Sequence, residues 1–101
     1  MKDMSVVIIG GNERMERQYS DICSSMGCRA KVYTKESSMK KKVGSPDIMI
    51  VFTGTVSHKM LLCATQEAKR SGTRIAHVHS SSATALTAAL KAELEKREVV
   101  A

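Results

Sequence analysis

The hydrophobic positions of this chain form short continuous runs that alternate with longer segments in which they recur every three or four residues. Residues 5–9 and 48–52 are uninterrupted apolar runs rich in β-branched side chains, which is typical of parallel strands covered on both faces. Residues 30–34 alternate between apolar and polar side chains, as a half-exposed edge strand does. Residues 75–79 complete a set of four predicted strands.

Helices are predicted between and after these strands. The first follows Asn12, a suitable N-cap, and ends at Gly27. A short basic helix is predicted for residues 37–43, a third helix ends near residue 70, and the last follows the serines at 80–82. The inward-facing positions of the first, third and last helices are Met15, Tyr19, Ile22 and Met26; Leu61, Ala64 and Ala68; and Leu86, Leu90 and Leu94.

The resulting order of elements is βαβαβαβα, so residues 1–101 are predicted to form one three-layer α/β domain of the Rossmann-like or flavodoxin-like type. The two fully apolar strands belong at the centre and the alternating strand at an edge, which gives a four-stranded parallel sheet of order 2-1-3-4. Right-handed crossovers then place the first and last helices on one face and the second and third helices on the other.

The amino-acid composition argues against some classes of binding partner. Aromatic residues make up only 3% of the chain, so nucleic-acid bases would find no stacking platform. The net charge of +6 favours anionic partners in general, but the basic residues are spread out, and this argues against nucleic acid. The three cysteines form no C-x-x-C pair, and no export signal or apolar segment of membrane-spanning length is present. These features predict a cytoplasmic protein with reduced thiols and no membrane partner.

One edge of the predicted sheet concentrates the candidate chemistry. Ligands of open parallel sheets bind beyond the carboxyl ends of the strands, where the strand order reverses, which here is between the first and third strands. The loops that reach this edge hold glycines, hydroxyls and helix N-termini, whereas the opposite edge has only ordinary helix stops. The predicted ligand-binding residues are Gly10, Gly11, Asn12, Arg14, Thr53, Thr55, Ser57, His58, His79, Ser80, Ser81 and Ser82.

Two kinds of chemistry are open to these residues. Glycine backbone and serine hydroxyls at helix N-termini suit an anionic or polar ligand, although tight turns and N-caps use the same residue types. His58 and His79 are candidate iron ligands, because imidazole near a helix N-terminus tends to stay neutral; the alternative is a hydrogen-bonded structural histidine. His77 and His79 share a strand face, but the sequence places no further ligand to complete a zinc site.

Catalysis is not expected. A phosphotransfer receiver needs acidic residues after the first strand and an aspartate at the end of the third, where this chain has glycines, Asn12 and Thr53. A sugar-transport phosphocarrier needs a cysteine directly after the first strand, and none stands there. Ser57 and His58 are neighbours in sequence, which is not the facing geometry that a nucleophile and its base require.

Five stretches, taken in order, resemble a bacterial family known as domain of unknown function 2325. They are residues 6–12, 27–34, 44–47, 55–60 and 79–82, so the resemblance covers nearly the whole chain. The resemblance implies haem binding and gas-ligand chemistry, with His58 or His79 as the axial ligand and Arg, Lys or Ser side chains at the propionates. The positions that match the family's motif, which excludes His77, are Gly10, Gly11, Asn12, Thr55, Ser57, His58, His79, Ser80, Ser81 and Ser82.

A domain of 101 residues would enclose a haem most easily in a site shared by two copies, so we also expect a homodimer formed through the last helix or an uncovered sheet edge. The leading hypothesis is a cytoplasmic, non-catalytic binding or sensor module with haem as its ligand. The first alternative is a binding domain for a phosphorylated or carboxylated small effector. The second is a protein-interaction domain without a small ligand.

Overall fold

The computed structural model describes residues 4–34 and 46–99. A 3-10 turn at Glu13–Met15 precedes the first helix. The predicted helix at residues 37–43 lies outside the described residues. The strands and helices are β1 (Met4–Ile9), α1 (Glu16–Ser25), β2 (Cys28–Tyr33), β3 (Ile48–Phe52), α2 (His58–Ser71), β4 (Arg74–Val78) and α3 (Ala83–Val99).

The four strands form one parallel sheet of order β2-β1-β3-β4, which confirms the predicted topology. Val6 lies beside Ala30 of β2 and Ile48 of β3, so β1 is paired along both sides. All five residues of β3 are buried, because helices cover both faces of the sheet centre. β2 and β4 are each paired along one side among the described strands, and β2 is the half-exposed edge that its alternating pattern predicts.

Two apolar cores lie on opposite faces of the sheet. On one face, Tyr19 and Cys23 of α1 pack with Leu86 and Leu90 of α3 against the strands. On the other face, the buried side of α2 packs against Val7, Ile9, Met49 and Val51. The first and last helices therefore share a face, as right-handed crossovers predict, and α2 covers the other.

The helix boundaries differ from the predictions in small ways with local causes. Asn12 is an N-cap, but its side chain accepts a hydrogen bond from the Arg14 amide and so caps the 3-10 turn rather than α1 itself. In α2 the most buried first-turn residue is Met60, whereas Leu61 is only partly buried. Gly72 ends α2 in the left-handed conformation, with φ of 68°, as the sequence predicts.

No helix within residues 4–34 and 46–99 is both long and apolar enough to cross a lipid bilayer.

The packing of α1 and α3 against the sheet leads to a prediction about stability. Leu90 is fully buried, whereas Leu62 on α2 is 50% exposed, so the same substitution tests burial at two helical positions. We expect Leu90→Ala to lower the free energy of unfolding by about 2–5 kcal/mol, through lost transfer energy and the cavity that remains. Leu62→Ala should lower it by well under about 1 kcal/mol. Urea unfolding followed by circular dichroism measures both, and equal losses would contradict this packing.

The buried thiol of Cys23 makes stability depend on pH. Burial, and to a smaller extent the neighbouring Cys28, raises the pKa of Cys23 from 9.0 to about 11. Below pH 9 the thiol is protonated in both the folded and the unfolded chain, so it has no effect. Between pH 9 and 11 the unfolded chain ionises first, and the folded state should lose on the order of 2 kcal/mol. Because Lys and Tyr titrate in the same range, the measurement is the difference in pH dependence between the wild type and Cys23→Ala. Parallel curves would contradict the prediction.

Candidate functional site

The loops after β1, β3 and β4 lie side by side at the carboxyl edge of the sheet, and hydrogen bonds join them. The Gly11 amide donates to the Thr55 hydroxyl oxygen at 2.7 Å, and the Thr55 hydroxyl donates to the Phe52 carbonyl at 3.1 Å. The Gly54 amide donates to the His79 carbonyl at 3.2 Å. We call the surface formed by residues 10–12, 53–58 and 79–82 the rim. The structure thus brings together the three loops that the topology predicts to meet.

Tyr19 of α1 connects the loops that follow β1 and β4. Its side chain is fully buried in α1, and its hydroxyl donates to the Ser81 carbonyl at 2.6 Å. The same oxygen accepts a hydrogen bond from the Asn12 amide at 3.3 Å. The apolar stripe of α1 predicts a core position for Tyr19 from its ring alone. The signal for its second role is the residue type, since a buried tyrosine hydroxyl needs a polar partner.

Two glycines of the rim are required by close contacts. A Cβ atom at Gly10 would lie 2.4 Å from Cγ1 of Val56, and the residue has a φ of 90°, which side-chain-bearing residues rarely adopt. A Cβ atom at Gly54 would lie 2.6 Å from the His79 carbonyl oxygen and 3.3 Å from Cε1 of its imidazole. The His79 residue therefore packs directly against the backbone of the loop after β3.

Several polar side chains of the rim are used to begin helices. The Ser57 hydroxyl accepts from the Met60 amide at 3.1 Å and caps α2. The Ser82 hydroxyl accepts from the Ala85 amide at 3.1 Å in the first turn of α3. The Ser80 hydroxyl donates to the Ser82 hydroxyl at 3.2 Å. These contacts match the capping roles that the sequence left open, while a role for the same residues in ligand binding stays a prediction.

The backbone amides of the first loop are also used. Gly10 donates to the Tyr33 carbonyl at 2.8 Å, Gly11 donates to Thr55, and Asn12 donates to Tyr19. Three successive amides would be the natural cradle for a phosphate or carboxylate. An anion bound there would have to replace hydrogen bonds that hold the loops together.

The two rim imidazoles are exposed. His58 is the first residue of α2, and His79 follows the last residue of β4. Within residues 4–34 and 46–99, no hydrogen bond reaches either ring. The structural-histidine alternative requires such a partner, so the described contacts do not favour it. His77 is also exposed, but it lies within β4 rather than in a rim loop.

Arg14 and Thr53 complete the predicted set of ligand-binding residues. Arg14 is exposed in the 3-10 turn beside the first loop. Thr53 is half-buried, and its amide donates to the Val78 carbonyl at 2.8 Å. In the described part of the chain, no group of three His, Cys, Asp or Glu side chains could hold a metal ion. A bare metal ion therefore has no complete protein ligand set there.

Comparison with known proteins gives one match. The model of a family described as "Uncharacterized protein conserved in bacteria (DUF2325)" matches residues 5–92. This confirms the resemblance drawn from the five sequence stretches. No curated protein and no solved structure matches the chain.

The Tyr19 hydroxyl provides a test of how the rim is held. Tyr19→Phe keeps the ring but removes the donor to Ser81 and the acceptor for Asn12, so we expect a loss of about 1–3 kcal/mol in the free energy of unfolding. Hydrogen exchange at the Asn12 amide should become faster. Tyr33→Phe, the same change in β2 where no described group bonds the hydroxyl, is the matched control. Equal effects of the two substitutions would show that the Tyr19 hydroxyl does not join the loops.

Proposed function

The chain belongs to the bacterial family DUF2325, and we propose that it is a non-catalytic binding and sensor module that holds haem at the rim through His79 or His58. The observation that supports this proposal is the presence of two exposed imidazoles on adjacent loops, with no hydrogen-bond partner in the described residues. A ring held at the surface without a partner is free to ligate iron.

Haem suits this set of residues better than a bare metal ion does. The porphyrin supplies four nitrogen ligands to its iron, so the protein needs to add only one or two. The described residues hold no three-ligand group for an ion, whereas they do present single imidazoles. The exposed Arg14 and the net charge of +6 favour binding of the two negatively charged haem propionates.

His79 is the better-positioned of the two candidate ligands. Its carbonyl accepts from the Gly54 amide, and its imidazole lies against the same glycine, so the loop restricts where the ring can point. His58 is the first residue of α2 and belongs to the neighbouring loop of the rim.

The main alternative ligand is an anionic small effector, and the rim has fewer available polar groups to bind it. The amides of Gly10, Gly11 and Asn12 and the hydroxyls of Thr55, Ser57 and Ser82 already have partners within the chain. We place the module in the cytoplasm, because none of Cys23, Cys28 and Cys63 forms a disulfide.

A haem titration with matched histidine variants tests the proposal. Wild-type protein should give a defined shift of the Soret band that saturates with one haem per chain. His79→Ala should weaken binding at least about tenfold, as expected for loss of a directly coordinating ligand, and His58→Ala should do so if that ring is the ligand instead. His77→Ala removes another exposed imidazole, outside the rim, and should leave the titration unchanged.

Two results would overturn haem binding at this site. One is an unchanged titration in the His58→Ala, His79→Ala double variant. The other is an equal loss in His77→Ala, which would indicate non-specific contact with any surface imidazole. The effector alternative is tested by thermal shift on the same proteins with a panel of phosphorylated and carboxylated metabolites. A true ligand raises the melting temperature. No response in either assay would favour a protein-interaction domain.

A further inference from the structure

The strand β4 has one hydrogen-bonding side without a partner strand among the described residues. The Thr53 amide donates to the Val78 carbonyl, and Val78 lies beside Phe52, so the backbone groups of Val78 face β3. Backbone groups alternate along a strand, so those of Ile75 and His77 point to the open side. Two N–H and two C=O groups are thus presented along this edge.

A cleft of about 260 Å³ runs along the open edge between β4 and α3. The strand contributes Ile75 to Val78, and the helix contributes Ala89, Ala92, Glu93 and Lys96. The helix side is formed partly by alanines, whose short side chains leave room for another segment. Natural proteins usually protect an edge strand with proline, a bulge, a covering element or an inward-pointing charge. β4 has neither proline nor a bulge, and its pairing with β3 is regular along its whole length.

Glu93 marks one end of the cleft. This side chain is only 4% exposed, and its Oε1 lies 3.4 Å from Nε of Arg74. Its Oε2 lies 3.4 Å from Nζ of Lys96, close enough for an ion pair, but it has no hydrogen bond. Arg74 and Lys96 keep about half of their side chains exposed, at 46% and 59%. Two cations and one carboxylate thus leave the Arg74 end of the strand with a net positive charge, whereas the Val78 end is uncharged.

We propose that this edge pairs with β4 of a second copy of the chain, antiparallel and about a twofold axis through Ala76. Ile75 of one copy then exchanges both backbone hydrogen bonds with His77 of the other, and the reverse pair does the same. Ala76 faces itself across the axis as the close, non-hydrogen-bonded pair, where its small side chain fits. The two sheets become one sheet of eight strands.

The charge distribution along the edge favours the antiparallel direction of this pairing. An antiparallel pair places the cationic end of each strand opposite the uncharged end of the other, because Arg74 meets Val78 of the second copy. The two Arg74 side chains stay about 13 Å apart along the strands. Each copy carries a net charge of +6, so long-range repulsion opposes association, and added salt should tighten the dimer by screening it. An acidic peptide bound to the same edge would be weakened by salt instead.

The pairing ends next to the rim, because His79 follows directly after Val78. Arg74 of the second copy lies opposite Val78, on the face of the sheet that α3 covers. The pairing does not depend on the proposed function.

Two variants test the pairing. His77→Pro removes an N–H group that faces the open edge, a change that an edge strand tolerates but a pairing strand does not. Wild-type protein should sediment as a dimer and His77→Pro as a folded monomer, with an unchanged far-UV circular dichroism spectrum. Ala76→Cys should form an intermolecular disulfide on oxidation, because the Cα atoms of position 76 in the two copies are about 4.5–5.5 Å apart in this pairing. Arg74→Cys, which does not meet itself in this register, is the matched control, and both are made on a Cys63→Ala background.

These experiments test the β4 pairing in the absence of haem. A wild-type monomer at high protein concentration and high salt would overturn the proposal, as would a dimer that persists in folded His77→Pro. If that variant fails to fold, the cysteine pair decides: cross-linking at position 76 but not at 74 supports the register, and equal or absent cross-linking rejects it. A haem titration of the wild-type protein is scored separately, so loss of the proposed function and loss of the pairing are distinguishable.

Discussion

The burial of β1 and β3 on both faces is the constraint on which the rest of the structure depends. Apart from Ser5, these strands consist of apolar side chains pointing in both directions, and only helices on the two sides of the sheet keep them from water. Parallel pairing follows, because each strand must be connected to the next by a crossover segment over one face. The carboxyl ends of the strands then point the same way, and this brings three chemically distinct loops to one edge.

Most of the fold could be predicted because it follows from side-chain periodicity alone. The apolar runs, the alternation in β2 and the glycines after α1 and α2 determine the strand order and the helix ends. The meeting of the rim loops could be predicted for the same reason. The bonds that join them could not, because Tyr19 and Ser81 are 62 positions apart and only the packed chain shows that they touch. Glu93 was missed for another reason: a glutamate in a helix is read as solvent-exposed, and its burial depends on cations from β4 and from the next turn.

The hydrogen bonds of the rim distinguish the residues that hold its shape from those that remain available. Threonine, tyrosine and serine hydroxyls, together with the amides of the first loop, are satisfied within the chain. The imidazoles at His58 and His79 are not, within the described residues. The proposed ligand contacts therefore fall on these two side chains, on a backbone that the other rim residues hold in place.

The buried thiols bear on how the protein withstands oxidants. Peroxides and disulfides attack the thiolate, and burial keeps Cys23 in its protonated form up to a pKa of about 11. Cys28 is also buried, whereas Cys63 is only partly covered. Among the three cysteines, oxidation would therefore begin at Cys63 on the α2 face and spare Cys23 beneath α1.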